Sequence, residues 1–226
     1  IGMPAFKIPS GELTNAPMLA HIARKGKPMI VSTGMATLGE VEAAIEGIRA
    51  DGCDDMAVLH CVSNYPADPA DVNLRAMETM ARAFGLPVGY SDHTLGLEIS
   101  LAAVALGATI IEKHFTLDRT LPGPDHAASL EPFELSALVR GIRSVERALG
   151  DGRKRPAESE RDSAESTRRS IVASRDIAAG EVLSNDILAL RRPGTGLAPR
   201  FQGAVVGRTV IRDVRAGELI ALSDLR

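Results

Sequence analysis

The chain has 226 residues, with 26 Lys and Arg against 29 Asp and Glu, a net charge of −3, and 45% hydrophobic and 24% charged residues. That balance is ordinary for a globular protein and excludes a global pull toward nucleic acid or an anionic membrane. Two cysteines without metal or disulfide spacing, no bilayer-length apolar run and no leader pattern lead to an expectation of a cytoplasmic protein.

Residues 1–150 repeat one rhythm of short apolar strand, polar or Gly-rich turn, and helix. Strands are expected at Ala5–Ile8, Met29–Val31, Ala57–Cys61, Val88–Tyr90 and Thr109–Glu112. The helices that follow are expected at Pro17–Arg24, Leu38–Ala50, Leu74–Phe84, Glu98–Leu106 and Pro132–Leu149. Short apolar runs alternating with helices predict parallel βα units. Polar residues gather where each strand ends, and in such folds ligands sit at that edge. The pattern alone fits either part of a βα barrel or a five-stranded doubly wound sheet. Ile1-Gly2-Met3-Pro4 leads at once into the first strand, which suggests a chain entered mid-domain.

Residues 151–169 hold six Lys/Arg, five Asp/Glu and no large apolar side chain, and read as a solvated linker. From residue 170 to 226, short β-branched segments at Ile171-Val172, Ala204-Val205-Val206 and Thr209-Val210-Ile211 alternate with turns. The segment from Arg175 to Leu183 matches that from Arg212 to Ile220, so a small pseudo-symmetric β domain is expected.

His93 and His114 follow two of the strands. Two imidazoles sharing a mouth, with Asp92 or Glu112 beside them, would hold a divalent metal. The alternative is two hydrogen-bonded strand-end histidines. Lys7, Ser10, Ser32 and Ser91, beside Gly11 and Gly34, would suit a phosphate, or would only make turns and cap helices. Leu121–His126 is a stiff loop carrying Asp125, and Arg191–Gly196 a stiff basic turn carrying Arg192. Both also read as plain surface loops.

Several strings occur in one order along nearly the whole chain: Phe6-Lys7-Ile8-Pro9-Ser10-Gly11-Glu12, Ser32-Thr33-Gly34-Met35, His60-Cys61-Val62-Ser63-Asn64-Tyr65-Pro66, Gly89-Tyr90-Ser91-Asp92-His93-Thr94, Glu112-Lys113-His114-Phe115, Gly123-Pro124-Asp125-His126 and Arg192-Pro193-Gly194-Thr195-Gly196. Together they resemble the N-acetylneuraminate (sialic acid) synthase family, in its bacterial sialic and legionaminic acid type. The resemblance implies a partial TIM-type βα barrel, strands four to eight, over 1–150. A linker over 151–169 and a small all-β antifreeze-like (SAF, β-clip) domain over 170–226 would follow. It further implies that the first three barrel strands are absent, and with them a glutamate acid/base and one phosphoenolpyruvate-binding lysine. The chain as it stands is therefore expected to lack part of its active site.

The implied reaction joins phosphoenolpyruvate to N-acetylmannosamine, or to a related 2,4-diacetamido-trideoxy hexose. C3 of phosphoenolpyruvate attacks the sugar aldehyde, water attacks C2, and phosphate leaves by C–O cleavage. The resemblance assigns metal binding to His93 and His114, for Mn²⁺ first, with Mg²⁺ or Co²⁺ as alternatives. Asp92 and Glu112 are expected to take part with them in catalysis. Phosphoenolpyruvate binding falls to Lys7, Ser10, Ser32, Ser63 and Ser91, and sugar binding to Asn64, Tyr65, Asp125 and Arg192. This chain has Val62 where the family usually has Thr. Arg192 would reach a partner subunit, which implies a domain-swapped homodimer. A second reading is non-catalytic: a carbohydrate-binding small domain on a barrel scaffold, which has no use for the two histidines, the serine rim or Asp125.

Overall fold

A computed structural model describes residues 2–226, which divide into two compact units, one running to residue 152 and one over 153–226. The first unit contains strands β1 (Phe6–Ile8), β2 (Met29–Ser32), β3 (Met56–Cys61), β4 (Val88–Asp92) and β5 (Ile111–Lys113). Between and after them come helices α1 (Ala16–Ala23), α2 (Leu38–Ala50), α3 (Ala76–Phe84), α4 (Glu98–Ala105) and α5 (Pro132–Leu149). The five strands form one sheet in chain order, every pair parallel.

The helices follow from local sequence. In α2, Val41, Ala44, Ile45 and Ile48 recur at helical spacing and are buried as one stripe. Thr37 and Glu40 close its start as a capping box, the kind of cap worth about 1 kcal/mol. Gly85, in the left-handed conformation at φ 64°, ends α3. The stripe of α2 packs in one core with Ile8, Met29, Val31, Val58 and Tyr90 from the strands. Burying a side chain such as Ile48 stabilises by about 1.5–3 kcal/mol.

Curvature decides between barrel and open sheet. Lys7 on β1 and Glu112 on β5 belong to the two outermost strands, yet Lys7 Nζ is 3.2 Å from Glu112 Oε1. Four strand spacings in a flat sheet would separate those backbones by about 19 Å, further than the two side chains reach. The sheet is therefore curled into a half-barrel, with Lys7 and Glu112 pointing into its concave side.

The second unit holds α6 (Arg161–Thr167), β6 (Ser170–Ala173), β7 (Leu188–Arg191) and a short helix, α7 (Gln202–Val205). Strands β6 and β7 pair antiparallel over a core of Ile171, Ile177, Leu183, Val205, Val210 and Ile220. The internal repeat is visible in space. Asp176 accepts from the Ala216 amide at 2.7 Å, and Asp213 from the equivalent Ala179 amide at 2.8 Å. Each copy thus caps the other's turn, and each closes its own with an Arg–Glu pair, Arg175–Glu181 and Arg212–Glu218.

Two expectations change. The segment 151–169 is not uniform linker, because residues 161–167 form α6. Ala204-Val205-Val206 was expected extended, but Val205 lies at the end of α7 and Val206 is its cap. The helical turn drives Val205 fully into the core, and that burial outweighs the extended preference of a β-branched residue.

Candidate active site

Alternation along the strands sorts the strand-end residues. On β4, Tyr90 and Asp92 face the helices and Ser91 the concave side; on β5, Glu112 faces in and Lys113 out. Register pairs Ser91 with Glu112 and Asp92 with Lys113. The next residues on each strand, His93 and His114, then meet on the concave side.

Two polar groups form there, Lys7 with Ser91 and Glu112, and Ser10 with Ser63. Ser10 Oγ lies 3.0 Å from Ser63 Oγ, and Ser91 Oγ donates to Glu112 Oε1 at 2.8 Å. Glu112 Oε1 also takes the Lys7 ion pair. Ser32 Oγ is buried with no hydrogen-bond partner beyond the neighbouring Cys61 thiol. A buried hydroxyl left so short of partners is one that a ligand oxygen can satisfy. The Cys61 sulfur accepts from the Gly34 amide at 3.2 Å, and burial pushes its thiol pKa up, so it stays a neutral part of the floor. Gly34, at φ +47°, turns the chain out of β2.

The histidines form a third group beside these. Their ring centroids are 5.4 Å apart and nearly perpendicular. The Tyr65 ring stands 4.1 Å from His93 and 5.5 Å from His114. His93 Nδ1 is 2.7 Å from the Val62 carbonyl. A carbonyl only accepts, so Nδ1 carries the proton and Nε2 keeps its lone pair. Burial holds the His93 pKa below the ordinary imidazole range, and the nearby His114 pushes the same way against the Val62 hydrogen bond. Asp125 Oδ2 is 3.9 Å from His114 Nδ1.

His93 and His114 are the residues here that would hold a divalent metal. A neutral imidazole whose far nitrogen is anchored to a carbonyl is the usual state of a metal-binding histidine. No group of three or more His, Cys, Asp or Glu suited to a metal occurs among the described residues.

One catalytic expectation is corrected. Asp92 is buried and faces away from the mouth. It is held by Lys113, Thr94 and Ser100, so it is neither a metal ligand nor an acid/base group for a molecule in the mouth. Glu112 stays on the concave side, as expected of a group that takes part in the mouth's chemistry, and there it pairs with Lys7 and Ser91. Asn64 is exposed and accepts from the Tyr65 amide at 3.1 Å, while Asp125 lies open beside His114. Arg192 is exposed in the second unit. Its turn is clamped by Ser170, whose Oγ donates to the Pro193 carbonyl at 2.7 Å and accepts from the Gly196 amide at 2.8 Å. Sequence reasoning passed over Lys113, Thr94 and Ser170. Strand alternation was the available signal for Lys113; none pointed to Ser170.

Residues 1–154 match the NeuB family and residues 168–226 the SAF domain. The chain is 48% identical to an N,N'-diacetyllegionaminic acid synthase of Legionella pneumophila, over 96% of this chain and 62% of that one. It is 40% identical to the N-acetylneuraminate-9-phosphate synthase of Homo sapiens, over 97% and 62%. It therefore spans less than two thirds of the length of these relatives. Among solved structures, an N-acetylneuraminic acid (sialic acid) synthetase from Leptospira borgpetersenii superposes with a TM-score of 0.67 at 41% identity, covering 73% of this chain and 57% of that one.

Proposed function

Because the chain belongs to the NeuB family and carries a SAF domain, we propose that it acts as a phosphoenolpyruvate-dependent nonulosonic acid synthase of the cytoplasm. The observation that carries this reading is the union, in one concave mouth, of a lysine–serine rim with a pair of ligand-ready histidines. A carbohydrate-binding scaffold has no use for either. The favoured acceptor is a 2,4-diacetamido-trideoxy hexose, as the name of the Legionella relative suggests, ahead of N-acetylmannosamine.

Lys7 with Ser10, Ser32, Ser63 and Ser91 would hold the phosphoenolpyruvate phosphate. The lysine supplies charge and the hydroxyls fix orientation, and both stay in place as negative charge moves onto departing phosphate. Glu112 keeps Lys7 and Ser91 aligned until the anion arrives. Tyr65 and Asp125 would orient the sugar hydroxyls beside the histidines, with Asn64 fixing the Tyr65 backbone. C3 of phosphoenolpyruvate forms the new bond to the sugar aldehyde, water adds at C2, and phosphate leaves with its bridging oxygen. A divalent cation, Mn²⁺ first, bound by His93 and His114 would supply Lewis-acid polarisation of the aldehyde oxygen. Arg192 would contact the N-acyl group from a partner subunit, which makes the working form a domain-swapped homodimer.

The test is phosphate release from phosphoenolpyruvate by the complete reading frame with Mn²⁺, comparing the two sugars and with EDTA as control. Sugar-dependent, EDTA-sensitive release is expected. A folded, Mn²⁺-loaded protein that releases no phosphate with either sugar overturns the reading.

A further inference from the structure

Outside the mouth, Asp92 and Lys113 form a deeply buried ion pair in the barrel unit. Lys113 Nζ is 2.8 Å from Asp92 Oδ2, and the two side chains are 0% and 3% exposed. Nζ also donates to the Thr94 carbonyl at 2.7 Å. Asp92 is saturated on both oxygens. Oδ1 accepts from the Thr94 amide at 2.9 Å and its hydroxyl at 2.8 Å, and Oδ2 from Ser100 Oγ at 2.6 Å as well as from Lys113.

A buried ion pair is a costly way to gain stability. An apolar pair of the same volume often stabilises as well or better. What the pair offers instead is geometry. Each partner immediately precedes one imidazole: Asp92 before His93, Lys113 before His114. Thr94, on the other side of His93, is tied to both partners. His93 is thus flanked on each side by a residue fixed to Lys113, and Lys113 is one bond from His114. Asp92 and Lys113 are register neighbours, so their bridge joins the ends of β4 and β5 from which the two rings project.

We propose that Asp92 and Lys113 are positioning residues whose buried bridge sets the spacing of the His93 and His114 imidazoles for metal binding. The proposal rests on the reading of those histidines as metal ligands. It predicts that cutting the bridge weakens the metal without touching the rim, because the bridge lies on the far side of the strands from Lys7 and Ser91.

The test titrates Mn²⁺ by electron paramagnetic resonance into the native protein, Lys113→Met, Asp92→Asn and the double variant, with His93→Ala as control. Thermal melting and metal-free phosphoenolpyruvate affinity are measured alongside. Each single variant should bind Mn²⁺ about 10–100-fold more weakly, in the range that loss of outer-shell partners brings. Phosphoenolpyruvate affinity should stay within about twofold. The double variant has no unpaired buried charge and should recover melting temperature but not Mn²⁺ affinity. A purely structural role would return both. Asp92→Glu keeps the charge and lengthens the arm. It serves if the neutral variants do not fold, and it too should bind Mn²⁺ several-fold more weakly. Native Mn²⁺ affinity in the folded double variant or in Asp92→Glu, with affinity lost in His93→Ala, overturns the proposal alone. Native affinity in His93→Ala overturns the metal site and the proposal with it.

Discussion

Gly34 and Ser10 stand so close that no side chain fits between them: a Cβ built on Gly34 would lie 2.3 Å from Ser10 Cβ and 2.6 Å from Ser63 Oγ. Gly34 also sits at φ +47°, where a side chain costs roughly 1–2 kcal/mol. The exit from β2 therefore has one residue type available, and the two hydroxyls pack against that bare backbone.

Gly34→Ala should accordingly lose stability and displace Ser10 and Ser63 together. We expect a fall of at least 1–2 kcal/mol in unfolding free energy and a phosphoenolpyruvate affinity at least about tenfold weaker, from loss of more than one charge-assisted hydrogen bond. Denaturant unfolding and calorimetric titration of phosphoenolpyruvate measure the two effects. A variant that folds less well but binds as tightly would separate the turn from the rim.

The Lys7–Glu112 pair leads to a prediction about charge. With nothing bound, Glu112 takes up the Lys7 ammonium and the Ser91 hydroxyl, so an arriving phosphate competes with a carboxylate. Glu112→Gln removes that competitor and should tighten inorganic phosphate binding by roughly two- to tenfold, the scale of a partly solvated charge interaction. Lys7→Met should weaken it by more than tenfold. Titration of inorganic phosphate at low and high salt checks both, and salt should shrink the difference.

The acid limb of stability should belong in part to the second unit. The hydrogen bond and charge of Arg212 hold the Asp224 carboxyl below the usual carboxylate range. A carboxyl with a depressed folded pKa adds stability that is full above its unfolded pKa and is lost as pH falls through the folded value. The window is therefore below about pH 4. Amide hydrogen exchange in residues 170–226 should accelerate there, and Arg212→Gln should flatten that dependence. Unchanged acid sensitivity in the variant would place the effect on other carboxylates.

The elements of the barrel unit were legible because the alternation of short apolar runs with helices is local: α2 and α5 span the expected Leu38–Ala50 and Pro132–Leu149. The side on which a residue works was less so. Asp92 was read with His93 because the two are adjacent in sequence, whereas adjacency on a strand puts side chains on opposite faces. The closeness of Ser10 to Ser63, 53 positions apart, depends on register across β1, β2 and β3, which no local pattern encodes. Helix α6 escaped notice for a related reason. It has no buried residue of its own, and it is tied down by tertiary contact, with the Gly194 amide donating to the Glu165 carbonyl at 2.7 Å.

That contact and Ser170 together fix the turn that carries Arg192, and this permits a prediction specific to one substrate. Ser170 is fully buried and bonds both sides of the turn, to Pro193 and Gly196. Ser170→Ala leaves the Pro193 carbonyl and the half-buried Gly196 amide without this partner, at a cost of about 1 kcal/mol. Because Gly194 and Gly196 pack directly on Arg168 and on Ser170 and Leu219, the turn has little room to find new partners except by moving. A turn that moves carries Arg192 with it. If Arg192 reads the N-acyl group, KM for the sugar should rise by about tenfold in Ser170→Ala while KM for phosphoenolpyruvate stays put. Arg192→Ala should show the same split more strongly. Steady-state kinetics with each substrate varied in turn checks this. A matching rise in both KM values would place Ser170 in general stability rather than in sugar recognition.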